Sequence, residues 1–239
     1  MTKAFFVDTT TCTACRGCQV ACKQWHGLPG DKTTNRGSYQ NPEDLNFTTY
    51  KLVRMTEAEI DQKLRWLFFP DQCRHCVEPP CLEAAGEPTA IYKNKATGAV
   101  LYTRVTKDLD ADSIISSCPY NIPRKGPDGS LSKCDMCIDR VTNGLLPACV
   151  KACPTGTMNF GEYKDMREYA RVRLAEVKHK FPKATLVNPD KVRVIYLTAF
   201  EPTTYWEYAV ASQREFDMTR AMAMQRMFRP FTELFARLG

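Results

Sequence analysis

CTACRGCQVAC, residues 12–22, decides how the rest of the chain is read. Cys12, Cys15, Cys18 and Cys22 are spaced Cys-x2-Cys-x2-Cys-x3-Cys. Three thiolates delivered at three-residue intervals wrap three corners of an iron–sulfur cubane, while the fourth points away and serves another. The remaining cysteines sort themselves around that rule. Cys134, Cys137 and Cys149 form a second triplet, so that Cys153 closes the first centre and Cys22 the second. Cys73-x2-Cys76-x4-Cys81 is a third triplet, and Cys118 is the remaining single. Twelve cysteines therefore account for three [4Fe-4S] clusters with none left over.

The first run has the spacing of bacterial ferredoxins, which usually ends in Cys-Pro. Here Lys23 follows Cys22, but Pro119 follows Cys118 and Pro154 follows Cys153, turning the backbone away from the metal. Two other uses of cysteine fit less well. Disulfides suit small chains without a core, whereas this one has 239 residues, 44% of them hydrophobic. Zinc fits the count, and Cys134-x2-Cys137-x11-Cys149-x3-Cys153 alone resembles a zinc ribbon, but the first run does not. A symmetric chain with four clusters would need ligands where Ala85, Asp108, Ala111 and Ile114 stand. Ordinary packing is expected there instead, with a short helix over Asp110–Ser117.

Sharing two clusters brings residues 1–26 and 124–165 together as one discontinuous ferredoxin-like lobe. Residues 66–123 form a second lobe inserted within it, 27–65 an insertion, and 166–239 a C-terminal extension. The fold class is α+β. A strand ends near Val7–Asp8, WLFFPDQC carries another into Cys73, and AIYKNKATGAVLYTRV turns as a hairpin near Ala96–Gly98. YKLVRM reads as a strand and TEAEIDQKL as a short helix, Thr56 its N-cap and Glu59 at the capping-box position. The Gly-Pro-Asp-Gly stretch at 126–129 is a surface turn. A longer helix runs from about residue 162 to Pro182, with strands at ATLVN and VRVIYL beyond it. The segment from Tyr205 to Gly239 has apolar residues at amphipathic spacing, with Pro230 starting a second piece. It suits a helix docked on this chain or on a partner better than one lying on a membrane surface.

No catalytic set emerges. His26, His75 and His179 form no metal triad, and there is no phosphate-binding glycine loop or nucleic-acid motif. Four thiolates saturate a cubane, which favours electron transfer over substrate binding. Lys23, Arg74, His75, Lys133 and Arg140 lie near the cysteines, where they either tune a potential or fix a docking face. The ordinary reading of each is a solvated surface charge. Trp25 is expected as a lid over a cluster, and His26 and His75 as supporting or packing groups. The opening MTKAFFVDTTTC has no long apolar run, so no secretory leader is expected, nor any transmembrane segment.

CTACRGCQVACKQWHGLPG, QCRHCVEPPC, CPYNIP and KCDMCIDRVTNGLLPACVKACPTGTMNFG together resemble the iron–sulfur subunits of the dimethyl sulfoxide reductase superfamily, over about residues 1–165. QVACKQW and GSYQNPEDL look most like formate dehydrogenase, in particular the soluble two-subunit enzymes of sulfate-reducing bacteria. The resemblance implies a large partner holding bis-pterin guanine dinucleotide tungsten or molybdenum and a cluster of its own, where formate becomes carbon dioxide. It implies electron entry at the cluster of Cys12, Cys15, Cys18 and Cys153, and a soluble multihaem c-type cytochrome as acceptor. Other superfamily reductases, of nitrate, thiosulfate, polysulfide or dimethyl sulfoxide, are the alternative. A periplasmic home is expected, reached on the partner's Tat leader, with the cytoplasm as the rival. The family's fourth cluster is missing here, and its place is expected at the outer end of the relay, leaving the cluster of Cys73, Cys76, Cys81 and Cys118 as the exit. The formal charge of +6 then loses its suggestion of a nucleic-acid partner, since three oxidised clusters at about −2 each offset it.

Overall fold

The structure, a computed structural model, describes residues 2–212; of the amphipathic segment expected over Tyr205–Gly239, residues 213–239 lie outside them. β1 (Lys3–Asp8) runs through a 3-10 turn at Thr9–Thr11 to α1 (Gly17–Trp25). β2 (Lys51–Ile60) and β3 (Lys63–Gln72) form a long hairpin, followed by α2 (Pro80–Ala85), the short hairpin of β4 (Ile91–Lys93) and β5 (Val100–Tyr102), and α3 (Ala111–Ser116). β6 (Arg124–Lys125) and β7 (Leu131–Ser132) flank the expected Gly126–Gly129 turn. Then come α4 (Ile138–Thr142), α5 (Ala148–Lys151), β8 (Met158–Glu162), α6 (Tyr163–Lys178), β9 (Thr185–Val187), β10 (Val194–Thr198) and α7 (Pro202–Tyr205). The fold is α+β.

The main sheet has the order β8-β1-β10-β9. β1 runs parallel to β10, Phe5 opposite Val194, and antiparallel to β8, Lys3 opposite Glu162. FFV and VIYL are nearly continuous apolar runs because both faces of these central strands are covered. Phe6, Ile195 and Leu197 share a core with Ala170, Leu174 and Val177 of α6. Phe5, Val7, Val194 and Tyr196 share the other core with Phe69, Cys18, Met136 and Cys149. Cys18, Cys149 and Cys153 belong to the core with Phe5 and Tyr196, whereas Cys73, Cys76, Cys118 and Cys134 group with the core of Phe6 and Ile195, in a sheet that includes strands from both ends of the described chain.

One expected element is different. TEAEIDQKL is no helix: residues 56–60 continue β2 and pair with β3 as far as Ile60 opposite Lys63, closing through Asp61 and Gln62 at φ 53° and 60°. Two consecutive left-handed residues make the primed turn that matches strand twist. Glu57 and Glu59 are exposed while Ala58 and Ile60 pack on the core, a two-residue period that overrides the helix propensity of Glu and Ala. An isolated helix of this length is marginal in water, whereas every residue of the hairpin gains a cross-strand neighbour. The hairpin crosses residue 65, where a boundary was expected.

Beneath it lies a buried ionic network. Asp71, fully buried, accepts from Arg54 Nε at 2.8 Å and Arg74 Nη1 at 2.8 Å, and Arg74 also faces the rings of Phe69, Tyr120 and Tyr196. Pairing of this kind holds only while every charge keeps its partner.

Candidate metal centres

The twelve cysteines are all free thiols, so none is committed to a disulfide. Two packed helices carry four of them. Cys18 and Cys22 lie one turn apart on α1, Cys149 lies on α5, and Cys153 follows α5 at the same spacing. α1 and α5 approach closely at Gly17, where a Cβ would stand 3.4 Å from the Ala152 carbonyl oxygen and 3.6 Å from Cys15 Sγ. The first cysteine loop thus lies against the end of α5, where a Cβ would make ordinary van der Waals contact.

Local backbone geometry repeats from loop to loop. In three of the four Cys-x2-Cys pairs the residue before the second cysteine is left-handed: Ala14 (φ 54°), His75 (φ 45°) and Met136 (φ 67°). The third residue after each Cys-Pro cysteine is left-handed too, Asn121 at φ 50° and Gly156 at φ 71°. Such conformations cost non-glycine residues about 1–2 kcal/mol each, so their recurrence marks a shared local demand. They turn amides toward sulfur: the His75 N–H donates to Cys73 Sγ at 3.4 Å and the Met136 N–H to Cys134 Sγ at 3.5 Å.

The thiols act on one another in sets. Burial pushes Cys12 up to about 11, with Cys18 and Cys15 adding to it, and it raises Cys18, where Cys153 and Cys15 add. Burial takes Cys149 to about 12 and lifts Cys134 well above the thiol range; Cys22 adds to both, and it adds to Cys137 as well. Burial likewise takes Cys118 to about 12 and lifts Cys76 well above the ordinary thiol value, each pushed also by Cys73 and Cys81. Cys153 alone moves down: burial raises it, but N–H groups of Met158, Thr155 and Thr157 and the Thr155 hydroxyl outweigh that. Crowded, buried thiols such as Cys18, Cys76, Cys118, Cys134 and Cys149 are a poor arrangement by themselves and a good one around a polynuclear cation, which takes thiolates and cancels their repulsion. The donor set therefore fits iron–sulfur clusters.

Cys73, Cys76, Cys81 and Cys118 also line one small cavity, walled by Pro79, Pro80, Val100, Tyr102 and Lys133. Beyond it, the positions lacking cysteine are filled by hydrocarbon. Ala111 and Ile114 are buried with Ala90, Ile91, Val100 and Leu131, and Ala85 and Leu109 pack against them. Asp108 ends the 3-10 turn Arg104–Asp108, and Asp110 caps α3 by accepting from the N–H groups of Asp112 and Ser113.

Several neighbouring groups differ from expectation. Arg74, His75 and Lys133 are buried rather than solvated. His75 is held neutral, its pKa driven well down by burial and then by Lys133 and Arg193, and its Nδ1 accepts from the Val100 N–H at 3.1 Å. Lys23 pairs with Asp31 at 2.9 Å. Trp25 is no lid: it is 44% exposed, donates to Asp139 at 2.9 Å and lies 4.1 Å beneath the Arg140 guanidinium. His26 bonds Asp135 at 3.0 Å and sits 3.8 Å from Cys22 Sγ. Asp135 and Cys137 complete a compact ligand trio with His26, which lies beside the cysteine set rather than apart from it. Sequence reading passed over Lys51, the buried cation beside Cys18 and Cys149. Its only signal was a lysine on the β2 face that also carries buried Val53.

The comparisons agree with this chemistry. Residues 64–163 match the family profile of a 4Fe-4S dicluster domain. The chain is 61% identical over 215 residues to formate dehydrogenase subunit beta of Megalodesulfovibrio gigas, covering 88% of this chain and all of that one. It is 54% identical over 216 residues to formate dehydrogenase 2 subunit beta (cytochrome c-553) of Nitratidesulfovibrio vulgaris, covering 87% and 99%. The formate dehydrogenase-O iron-sulfur subunit of Escherichia coli is 39% identical over 191 residues, 79% of this chain and 63% of that one. The chain belongs to the iron–sulfur β subunits of formate dehydrogenase, the non-catalytic electron-transfer partners within the dimethyl sulfoxide reductase superfamily.

Proposed function

We propose that this subunit carries single electrons, through three [4Fe-4S] clusters in a row, from a tungsten- or molybdenum-containing catalytic subunit that oxidises formate to an acceptor such as a c-type cytochrome. The observation that supports this reading is the crowding of buried cysteines, with Cys73, Cys76, Cys81 and Cys118 lining one cavity and a 4Fe-4S dicluster profile matched over residues 64–163. Cys12, Cys15, Cys18 and Cys153 would hold the first centre, Cys22, Cys134, Cys137 and Cys149 the second, and Cys73, Cys76, Cys81 and Cys118 the third. When bound, the clusters supply one-electron carriers whose potentials depend on nearby charge, hydrogen bonds and solvent access.

The order follows from contacts between sets. Cys18 acts on Cys149 and Cys73 acts on Cys134, which supports placing the second centre between the other two. Exposed Cys15 favours the first centre as the entry, facing the catalytic subunit. The hydrocarbon at Ala85, Ala111 and Ile114 favours the third centre as the exit. The Nitratidesulfovibrio relative carries cytochrome c-553 in its name, which supports a cytochrome acceptor here. Among the described residues no helix is long and apolar enough to cross a membrane. We place the complex in the periplasm, exported on its partner's leader.

The test is purification of the native complex, identification of its large subunit and metal, and formate-driven reduction of c-type cytochrome. Cys118→Ala should abolish cytochrome reduction while formate oxidation with a small dye persists. Equal loss of both, with the complex intact, would contradict the third centre as exit.

A further inference from the structure

Lys51 is 2% exposed, and its ammonium donates to the Pro70 carbonyl and to Gln72 Oε1. Lys133 is 7% exposed and donates to the carbonyls of Val100 and Cys134. Both acceptor sets are neutral, and neither lysine has a carboxylate ion pair among the described residues. Asp135, the acid nearest Lys133 in sequence, bonds His26 and acts on Lys133 without forming an ion pair with it. A buried ammonium without a paired counter-ion is strongly disfavoured, so each site favours further negative charge beside it.

The positions of the two cations are complementary. Lys51 acts on Cys18 from the first set and on Cys149 and Cys134 from the second. Lys133 adjoins Cys134 of the second set in sequence and lines the cavity formed by the third. Each gap between neighbouring sets thus holds one ammonium, Lys51 held by the Pro70 carbonyl and the Gln72 side chain and Lys133 by the Val100 and Cys134 carbonyls.

We propose that Lys51 and Lys133 are fixed counter-charges for pairs of clusters, Lys51 shared by the first and second centres and Lys133 by the second and third, each raising the reduction potentials of both. The inference rests on the three-cluster reading. Reduction adds negative charge to a cluster, and a neighbouring cation in a low-dielectric interior favours the reduced form. A charge shared across a gap raises donor and acceptor together, so it keeps a step level rather than opening a drop.

The test uses the complete enzyme complex carrying Lys51→Met, Lys51→Gln, Lys51→Arg or Lys133→Met, with iron and sulfide content and a spectroscopic redox titration of each cluster. Lys51→Met and Lys51→Gln should lower the reduction equilibrium constants of the first and second centres about tenfold, about 59 mV for one electron, and leave the third in place. Lys133→Met should lower the second and third and leave the first. Lys51→Arg should keep wild-type values. Full cluster content with unmoved potentials, or one uniform shift of all centres, overturns the proposal. If the neutral variants fail to load clusters while Lys51→Arg loads fully, the charge is required even for assembly, which supports it. Equal failure of Arg and Gln makes the site a packing requirement and counts against it. Wild-type iron that does not fit three clusters on this chain defeats the underlying reading instead.

Discussion

In the α1–α5 helix pair, cysteines recur four residues apart, Cys18 with Cys22 and Cys149 with Cys153; in the α2–α3 pair the same spacing meets Ala85 after Cys81 and Ile114 before Cys118. Residues four apart lie one above the other on a helix, so a second cysteine lets one helix serve two successive centres. The first pair uses both positions and bridges. The second pair uses one, and its other position joins a core of Ala90, Ile91, Val100, Ala111 and Leu131. One scaffold thus either extends a row of metal centres or ends it, depending on whether two positions carry sulfur or hydrocarbon.

Cys149→Ala and Ile114→Ala alter corresponding places in the two pairs and should separate most widely. Cys149→Ala is expected to remove about a third of the iron and sulfide, measured on the full chain purified without oxygen. Ile114→Ala should leave the iron unchanged and lower stability to denaturant by about 2–5 kcal/mol, because it opens a cavity in a packed core. Iron loss in Ile114→Ala to the same extent would erase the distinction between the pairs. Next in size, Ala85→Cys should bind no additional iron, since three further ligands are missing, and should shift stability by about 1 kcal/mol or less. Added iron in that variant would mean that the second pair retains a partial fourth site.

The smallest effect should fall outside both pairs. Asp44 joins Arg54 of β2 to Arg124 of β6 at 2.6 and 2.7 Å. Burial pushes its pKa up, but the two guanidiniums outweigh that and hold it below the ordinary aspartate value. A lowered native pKa stabilises the fold above the unfolded value, and this contribution fades as pH falls through the native one. Asp44 is 40% exposed, so Asp44→Asn should cost only about 0.5–1 kcal/mol at pH 7. Denaturation curves of wild type and variant should converge in acid. A difference that grows as pH falls would contradict the ion-pair account.

Much of this was legible from spacing alone. The sequence predicts the Ala96–Gly98 hairpin, the short helix over Asp110–Ser117 and apolar packing at Ala85 and Ile114, because each rests on a few adjacent residues. The TEAEIDQKL helix failed because capping signals at Thr56 and Glu59 compete with alternation at Glu57, Ala58, Glu59 and Ile60, and the distant β3 strand decides between them. β10 shows the same limit: VRVIYL reads as a strand, but only tertiary structure puts it beside β1 at the centre of the sheet. Lys51, Arg74 and Lys133 look like surface charges because burial of a cation depends on groups far away in sequence, here sulfur and aromatic rings.

The crossed use of Cys22 is the central claim, since the row of centres depends on it. An anomalous-scattering crystal structure of the anaerobically purified subunit at the iron edge tests it most directly. It should contain three four-iron centres in a row, with Cys22 bonded to the middle one alongside Cys134, Cys137 and Cys149. Two or four centres, or Cys22 bound to the same cluster as Cys12, Cys15 and Cys18, would contradict it.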